Sequence, residues 1–316
     1  MCMRKINSIV NKIKINFMEE LILDIKKMLK KNQIIYRMYL KYRFYKTIRI
    51  CEKRKDMSIE EMKRIIEKEY FLRIKEEIEW ENPKKYTDKM QWRKIYYQDK
   101  RMTEYSDKIL VRDYVKNIIG EEYLIPLLGE WESFDEINFN LLPNSFVLKT
   151  NHGSGTNIIV NNKNEFDKKT AKILINGWLK TDFGYSHGFE LHYSGITRKI
   201  YSEQFIETKE QNLQDFKFLC FDGKAYYCWV DVDRHGDHRR NVYDLDWNLQ
   251  PWGQSKKNTE KEIAKPAQFN KMVVLAEKLA AGFSHVRVDL YNVDGKIYFR
   301  AGSNVFSFSD CCVYFT

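Results

Sequence analysis

Proline and glycine are scarce, at 5 and 14 in 316 residues, which excludes a collagenous or low-complexity chain. The six cysteines include no C-x-x-C pair and no histidine at ligand spacing, so neither a zinc site nor a disulfide framework is expected. No run of about 18 apolar residues occurs, and no transmembrane helix is expected. Asn7, Asn11, Lys12, Lys14 and Asn16 break up the apolar stretch that a signal peptide would need. These absences point to a cytoplasmic protein in a reducing compartment.

What is present suits a folded globule. The chain is 43% hydrophobic and 15% aromatic, enough apolar material for one large domain or two modest ones. Its 54 Lys and Arg exceed its 44 Asp and Glu, but the excess is local. Residues 1–50 contain 13 basic and 3 acidic residues, so the other 266 residues are neutral. That distribution argues against a nucleic-acid channel through the body and assigns the net charge to an N-terminal arm.

In this arm Met18, Leu21, Ile22, Ile25, Met28 and Leu29 follow the i, i+3, i+4 rule, with Lys26, Lys27, Lys30 and Lys31 on the other side. A basic and aromatic stretch follows over 34–49. Two readings stay open for residues 12–49: peripheral contact with the anionic inner face of a membrane, or packing on the body with the lysines in water.

Ser58-Ile-Glu-Glu61 predicts a capped helix reaching about Ile78, and Ser106 or Asp107 caps another that ends near Gly120. After Pro143 short β-rich runs take over, at 145–150, 157–160, 199–206, 216–221, 225–233, 286–293 and 296–299. Asp222-Gly223 and Asp294-Gly295 sit between such runs and predict hairpins. Helical segments at 168–179 and 269–281 interrupt them. The expected fold class is α+β with mainly antiparallel sheet.

Three stretches are candidates for chemistry. Lys149-Thr-Asn-His152-Gly153-Ser154-Gly155 reads as a strand delivering a lysine into a small-residue loop, where backbone N–H groups can approach phosphate oxygens. It is neither a Walker A loop nor G-x-G-x-x-G, and a plain hairpin connection is its bland alternative. Tyr201-Ser-Glu203-Gln-Phe205-Ile206 is an alternating strand with a carboxylate that suits an adenine amino group or ribose hydroxyls. In Val286-Arg287-Val288-Asp289-Leu290 the Arg and Asp share one face, where the carboxylate suits a Mg²⁺ ligand and the pair equally suits a surface ion pair. Asp233-Arg-His235-Gly-Asp237-His238 reads as a polar turn rather than a metal cluster, with Arg239 and Arg240 beside it.

Asn82-Pro-Lys-Lys-Tyr, Ser106-Asp-Lys108-Ile-Leu-Val-Arg112-Asp-Tyr, Phe146 to Gly155, Gly188-Phe-Glu-Leu-His, Glu203 to Ile206, Gln214-Asp-Phe-Lys217-Phe and Val286 to Phe299 occur in that order. Together they resemble the TupA-like (teichuronopeptide-biosynthesis) branch of the ATP-grasp superfamily, over roughly residues 80–299. The resemblance implies a two-lobed α+β domain gripping ATP. It divides the chain into a basic arm (1–56), a helical region (57–143), a small lobe with the glycine-containing loop (144–200), a large lobe (201–299) and an atypical tail (300–316). It implies ATP contacts from Lys108, Lys149, His152, Gly153, Ser154, Gly155, Glu203, Phe205 and Ile206, catalytic roles for Lys149 and Arg287, and Asp289 as a Mg²⁺ ligand. It also implies activation of a carboxylate as an acyl phosphate, displaced by an amine, with a uronic-acid or other anionic saccharide of a bacterial surface polysaccharide as acceptor.

The departure from this family begins at Arg300-Ala301. Ala301 stands where a metal-bridging Glu is expected; a two-residue turn would set Arg300 opposite Asp289, and a three-residue loop would set Ala301 on that face instead. A frameshift or early end that replaces the usual continuation is the reading favoured for the tail, with a diverged, inactive member as the alternative. A competing activity is a glycosyltransferase of the same pathway, for which Asp231-Val-Asp233 and Asp244-Leu-Asp246 supply the short D-x-D pattern.

Overall fold

A computed structural model describes residues 31–97, 99–186, 188–207, 214–232, 239–254, 258–259, 262–300 and 313–315. The arm helix expected over Met18 to Leu29 and the polar stretch at 233–238 lie outside the described residues.

The first helix, α1 (Gln33–Lys55), starts at Asn32, whose side chain accepts hydrogen bonds from the amides of Ile34 and Ile35. The expected capping box opens α2 (Ile59–Ile74): Ser58 and Glu61 bond reciprocally. This helix stops four residues before Ile78 because Lys75 turns left-handed, at φ 65°. Then come α3 (Tyr86–Tyr96), α4 (Lys100–Ser106) and α5 (Val111–Ile119), the last ending at Gly120 as its sequence predicts.

A four-stranded antiparallel sheet follows, built from β1 (Leu127–Trp131), β2 (Phe146–Thr150), β3 (Asn157–Val160) and β4 (Ile200–Gln204) in the order β1-β4-β2-β3. Between β3 and β4 run α6 (Lys168–Lys180) and the single turn α7 (Phe183–Ser186). Phe146, Leu148 and Ile200 leave one face of the sheet and meet Ala171 and Ile175 of α6. Helix α1 packs across α6 and α7 through Leu40, Phe44 and Cys51. Gly177 permits this approach: a Cβ there would lie 2.3 Å from the Phe44 ring. The sheet draws strands from Leu127 to Gln204 and so spans the 143 and 200 boundaries expected from the sequence.

The second sheet has five antiparallel strands: β5 (Asp215–Phe221), β6 (Lys224–Val232), β7 (Arg239–Asp244), then, beyond the short β8 (Trp252–Gln254) and α8 (Phe269–Ala280), β9 (His285–Val293) and β10 (Lys296–Phe299). Their order is β10-β9-β5-β6-β7. A short β11 (Val313–Phe315) pairs with β8. Both Asp-Gly pairs are two-residue hairpin turns, with φ of 46° and 77° at Asp222 and Gly223, and 50° and 84° at Asp294 and Gly295. One face of the sheet carries Phe216, Phe218, Val230, Val286, Val288 and Leu290 and rests on Phe269, Met272 and Leu279 of α8. Each such side chain contributes about 1.5–3 kcal/mol by leaving water. The sheets touch where Leu124, just ahead of β1, bridges Phe299 of β10.

Candidate functional site

Helix α5 stands at the junction of the sheets. Its Val111 and Val115 lie in the apolar layer under the five-stranded sheet, while the turn before it reaches the four-stranded one. Asp107 Oδ1 accepts from the amides of Ile109 and Leu110 at 2.8 and 3.3 Å, and Oδ2 accepts from Asn151 Nδ2 at 2.8 Å. Arg112 spans the gap, donating to Glu203 Oε1 at 3.0 Å and to the Ile125 carbonyl at 2.7 Å.

Because Phe146, Leu148 and Ile200 occupy the face toward α6, strand alternation sends Lys149, Tyr201 and Glu203 to the opposite face. The Glu203 carboxylate, buried, is clamped between Lys149 and Arg112. Lys149 keeps 17% of its side chain exposed and lies 5.9 Å from the centre of the Tyr201 ring. The Tyr201 hydroxyl is fully buried and has no partner among the described residues. Just after β4, Phe205 and Ile206 run out of the sheet half-buried, and their backbone groups make no hydrogen bond among the described residues.

The glycine-containing loop between β2 and β3 is held from below. Lys108 Nζ donates to the carbonyls of Thr150 and Gly153, both at 2.9 Å, and is buried. Burial first, then the nearby charges of Lys149 and Arg300, pull its pKa down to about 7. His152 is likewise internal: its Nε2 lies 3.0 Å from the Trp178 carbonyl and its ring meets Phe183 edge-on, with burial pulling its pKa down to about 3. Gly153 and Gly155 take φ of 75° and 69°; a Cβ on Gly153 would fall 2.4 Å from Phe183, whereas Ser154 and Gly155 are exposed. Lys108 and His152, expected at the nucleotide, are thus turned into the protein. Carbonyl oxygens take up the Lys108 ammonium where water cannot reach, while His152 is bonded through Nε2 and its buried Nδ1 has no partner among the described residues.

On the five-stranded sheet the face away from α8 is ionic. Asp215 and Lys217 project from β5, Asp231 from β6, Arg240 from β7, and Arg287 and Asp289 from β9. Lys217 joins Asp215 to Asp231, Arg240 donates to Asp231, and Arg287 holds Asp289 with two bonds at 2.7 and 2.9 Å. Burial lowers the Lys217 pKa, opposed by the surrounding aspartates. The turn is the two-residue one of the two the sequence allows, and it places Arg300 opposite Asp289: Nη1 lies 2.6 Å from Asp215 Oδ2 and 3.6 Å from Asp289 Oδ2. Trp229 lies under Arg240 and Arg287. Among the described residues this buried face sets four cations, Lys217, Arg240, Arg287 and Arg300, against three carboxylates, Asp215, Asp231 and Asp289. Arg300 also acts electrostatically on Lys108 and Tyr201, so the two charged faces meet at the sheet junction.

These residues do not fit a divalent cation. Both Asp289 oxygens are taken by Arg287, Arg300 sits beside them, and no group of three or more metal-ligating side chains exists among the described residues. Position 301 lies outside the described residues. Of the D-x-D patterns, Asp231 belongs to the ion network, and Asp244 closes a turn by accepting from Asn248 N at 2.8 Å and Asn248 Nδ2 at 3.0 Å.

The structure brings Lys149, Glu203, Phe205 and Ile206 together on one side and Arg287 and Asp289 on the other. Asp215 and Lys217, like Arg112 and Tyr201, are not expected at the site from the sequence; Asp231 enters there only through its D-x-D pattern, and Arg240 only as a basic neighbour of the polar turn that could meet an anionic substrate. Their signal was the period-2 alternation of charge with Phe216, Phe218, Val230 and Val232, which reads equally well as a solvent face.

A two-sheet α+β body with ionic inner faces is the kind of scaffold the ATP-grasp class uses. The model of one family in that class, described as TupA-like ATPgrasp, matches residues 88–311. The chain belongs to this family, and the match continues past Phe299, where the resemblance read from the sequence stops. No curated protein matches. Among solved structures, the chain is similar to the D-alanine–D-alanine ligase of Bacillus anthracis (18% identity, 64% of this chain, 57% of that one, TM-score 0.36). It is also similar to the D-alanine–D-alanine ligase of Helicobacter pylori (10%, 66% and 53%, 0.39) and the L-amino acid ligase of Bacillus licheniformis (14%, 60% and 41%, 0.36). The chain spans roughly half the length of these structures.

Proposed function

We propose that the chain binds ATP between its two charged faces and acts as a carboxylate–amine ligase on an anionic saccharide, such as a uronic acid of a bacterial surface polysaccharide. The observation that carries the nucleotide part is the backbone of Phe205 and Ile206, unbonded among the described residues, beside the Lys149–Glu203 pair of a family member's small sheet. An adenine edge needs unpaired backbone donors and acceptors at a half-apolar strand end, and that is what these residues offer. Ribose hydroxyls suit Glu203. Phosphate oxygens suit Lys149 and the exposed amides of Ser154 and Gly155.

In the reaction a substrate carboxylate oxygen attacks the γ-phosphorus, the bond to ADP breaks, and an acyl phosphate forms. The amine nitrogen then attacks the acyl carbon, phosphate leaves, and the amine loses a proton to water. The protein's share is positioning and neutralisation of phosphate charge by Lys149 and Arg287. No step is routed through a divalent cation.

A second reading, nucleotide binding without turnover, is favoured by one observation: Arg300 stands against Asp215 and Asp289 on the face where phosphoryl transfer would need open ligands. Incubating the chain with ATP, a glucuronate-bearing oligosaccharide and an amine donor separates the two. Release of ADP and phosphate that requires both acceptors supports the ligase. ATP binding with no release under any acceptor sinks it in favour of the second reading.

A further inference from the structure

Helix α1 has two apolar faces, and the body uses only one. Leu40, Phe44 and Cys51 are buried against α6 and α7. On the other side Ile34, Met38, Tyr42 and Tyr45 are 70, 66, 61 and 62% exposed. At 100° per residue these four fall within an arc of about 80°, centred about 140° from the middle of the buried stripe. A helix serving only the core would show water a polar face there.

The helix is fixed in this pose. Arg37 pairs with Asp167 at 2.9 Å, Lys55 with Asp182 at 2.8 Å, and Arg54 donates to the carbonyls of Tyr185 and Ser186 at 3.0 and 3.1 Å. The exposed stripe is therefore a built surface on a rigid support. Its border is basic: α1 carries eight Lys and Arg against the single acid Glu52, and Lys41, Lys46 and Lys53 are exposed with no ion pair among the described residues.

We infer that this face of α1 docks on an anionic lipid surface, with Ile34, Met38, Tyr42 and Tyr45 entering the headgroup region and Lys41, Lys46 and Lys53 meeting the lipid phosphates. Charge complementarity selects this occupant. A second copy of the chain would bring the same eight basic residues against these, and like charges repel. An apolar stripe about 16 Å long, edged by lysine and holding two tyrosines, is the pattern of a helix lying in the membrane interface rather than across it. No described helix is long and apolar enough to cross a membrane. The inference is independent of the proposed reaction.

The test is co-sedimentation of the full chain with vesicles of phosphatidylcholine alone and of phosphatidylcholine with phosphatidylglycerol. Binding is expected to the anionic vesicles only and to fall with added salt. Lys41→Gln with Lys46→Gln is expected to weaken partitioning about twentyfold, near fivefold per charge. Met38→Glu with Tyr42→Glu is expected to abolish it, and since both side chains are exposed the fold is retained, which circular dichroism checks. No binding of the parent chain to anionic vesicles overturns the inference. Undiminished binding of the Met38→Glu, Tyr42→Glu variant also overturns it and moves the contact elsewhere. So does a dimer in light scattering that Met38→Glu dissociates, which makes a second copy the occupant. So, finally, does an intrachain disulfide between Ile25→Cys and Met38→Cys without vesicles, which gives the face to residues 18–29.

Discussion

The two sheets share one plan and differ in how their charges are held. Each turns an apolar face to a helix and an ionic face to the junction. In the five-stranded sheet the ionic side chains are nearly all buried and paired with one another. In the four-stranded sheet the buried carboxylate, Glu203, is clamped by two cations, one of which stays within reach of solvent. A saturated network is rigid and costly to disturb, whereas a partly exposed lysine can change partner. The comparison assigns scaffolding and background potential to the large sheet, and the movable charge to the small one.

The largest expected effect attacks the saturated side. Asp231→Ala takes from buried Arg240 the carboxylate it donates to and leaves Lys217 with Asp215 alone, and is expected to cost about 3–5 kcal/mol, read as a fall in the urea midpoint. A loss under about 1 kcal/mol would mean that water or other groups replace the carboxylate and that the network is not closed.

Acid comes next. Burial pulls His152 down to about 3 and His192 and His285 to about 4. Below about 6.5 the unfolded chain takes up protons that the native chain refuses until pH 3–4, so stability falls as pH drops through that window. Urea midpoints at pH 6.5 and 4.5 check this, and His152→Gln should lessen the slope.

Lys108 gives the opposite window with a smaller effect. Its pKa of about 7 lies below the unfolded value of 10.5, so its share of stability grows as pH rises from 7 toward 10.5. Lys108→Met should flatten that rise in thermal midpoints, and an unchanged slope would return the ammonium to solvent. The smallest effect belongs to the surface: Lys172, paired with Asp135 where both are exposed, is expected to change stability by no more than about 1 kcal/mol on Lys172→Ala.

Much of the fold was legible in the sequence. Asp222-Gly223 and Asp294-Gly295 specified both hairpins because only such pairs take two positive φ angles cheaply, and Ser58 with Glu61 specified the start of α2. The strand β1 was missed because Leu127-Leu-Gly-Glu-Trp131 is short, follows Pro126 and contains a glycine at a register shift. The strand β7 was missed because Arg239-Arg-Asn-Val-Tyr-Asp reads as polar, although Arg240 and Asn241 are buried. That is also why half of the site stayed hidden. An inward ionic face and an outward solvent face have the same period-2 pattern, and only burial in the folded chain tells them apart. Lys108 is a different case: the sequence shows a lysine where the resemblance expects one but not the carbonyls of Thr150 and Gly153 that hold it.

The movable charge on the small sheet is the core of the account, and calorimetric titration of ATP into the parent chain and into Lys149→Ala tests it most directly. Binding to the parent and at least a tenfold loss in the variant, about 1.4 kcal/mol, is the predicted result. No binding to the parent, or equal binding to both, would contradict it.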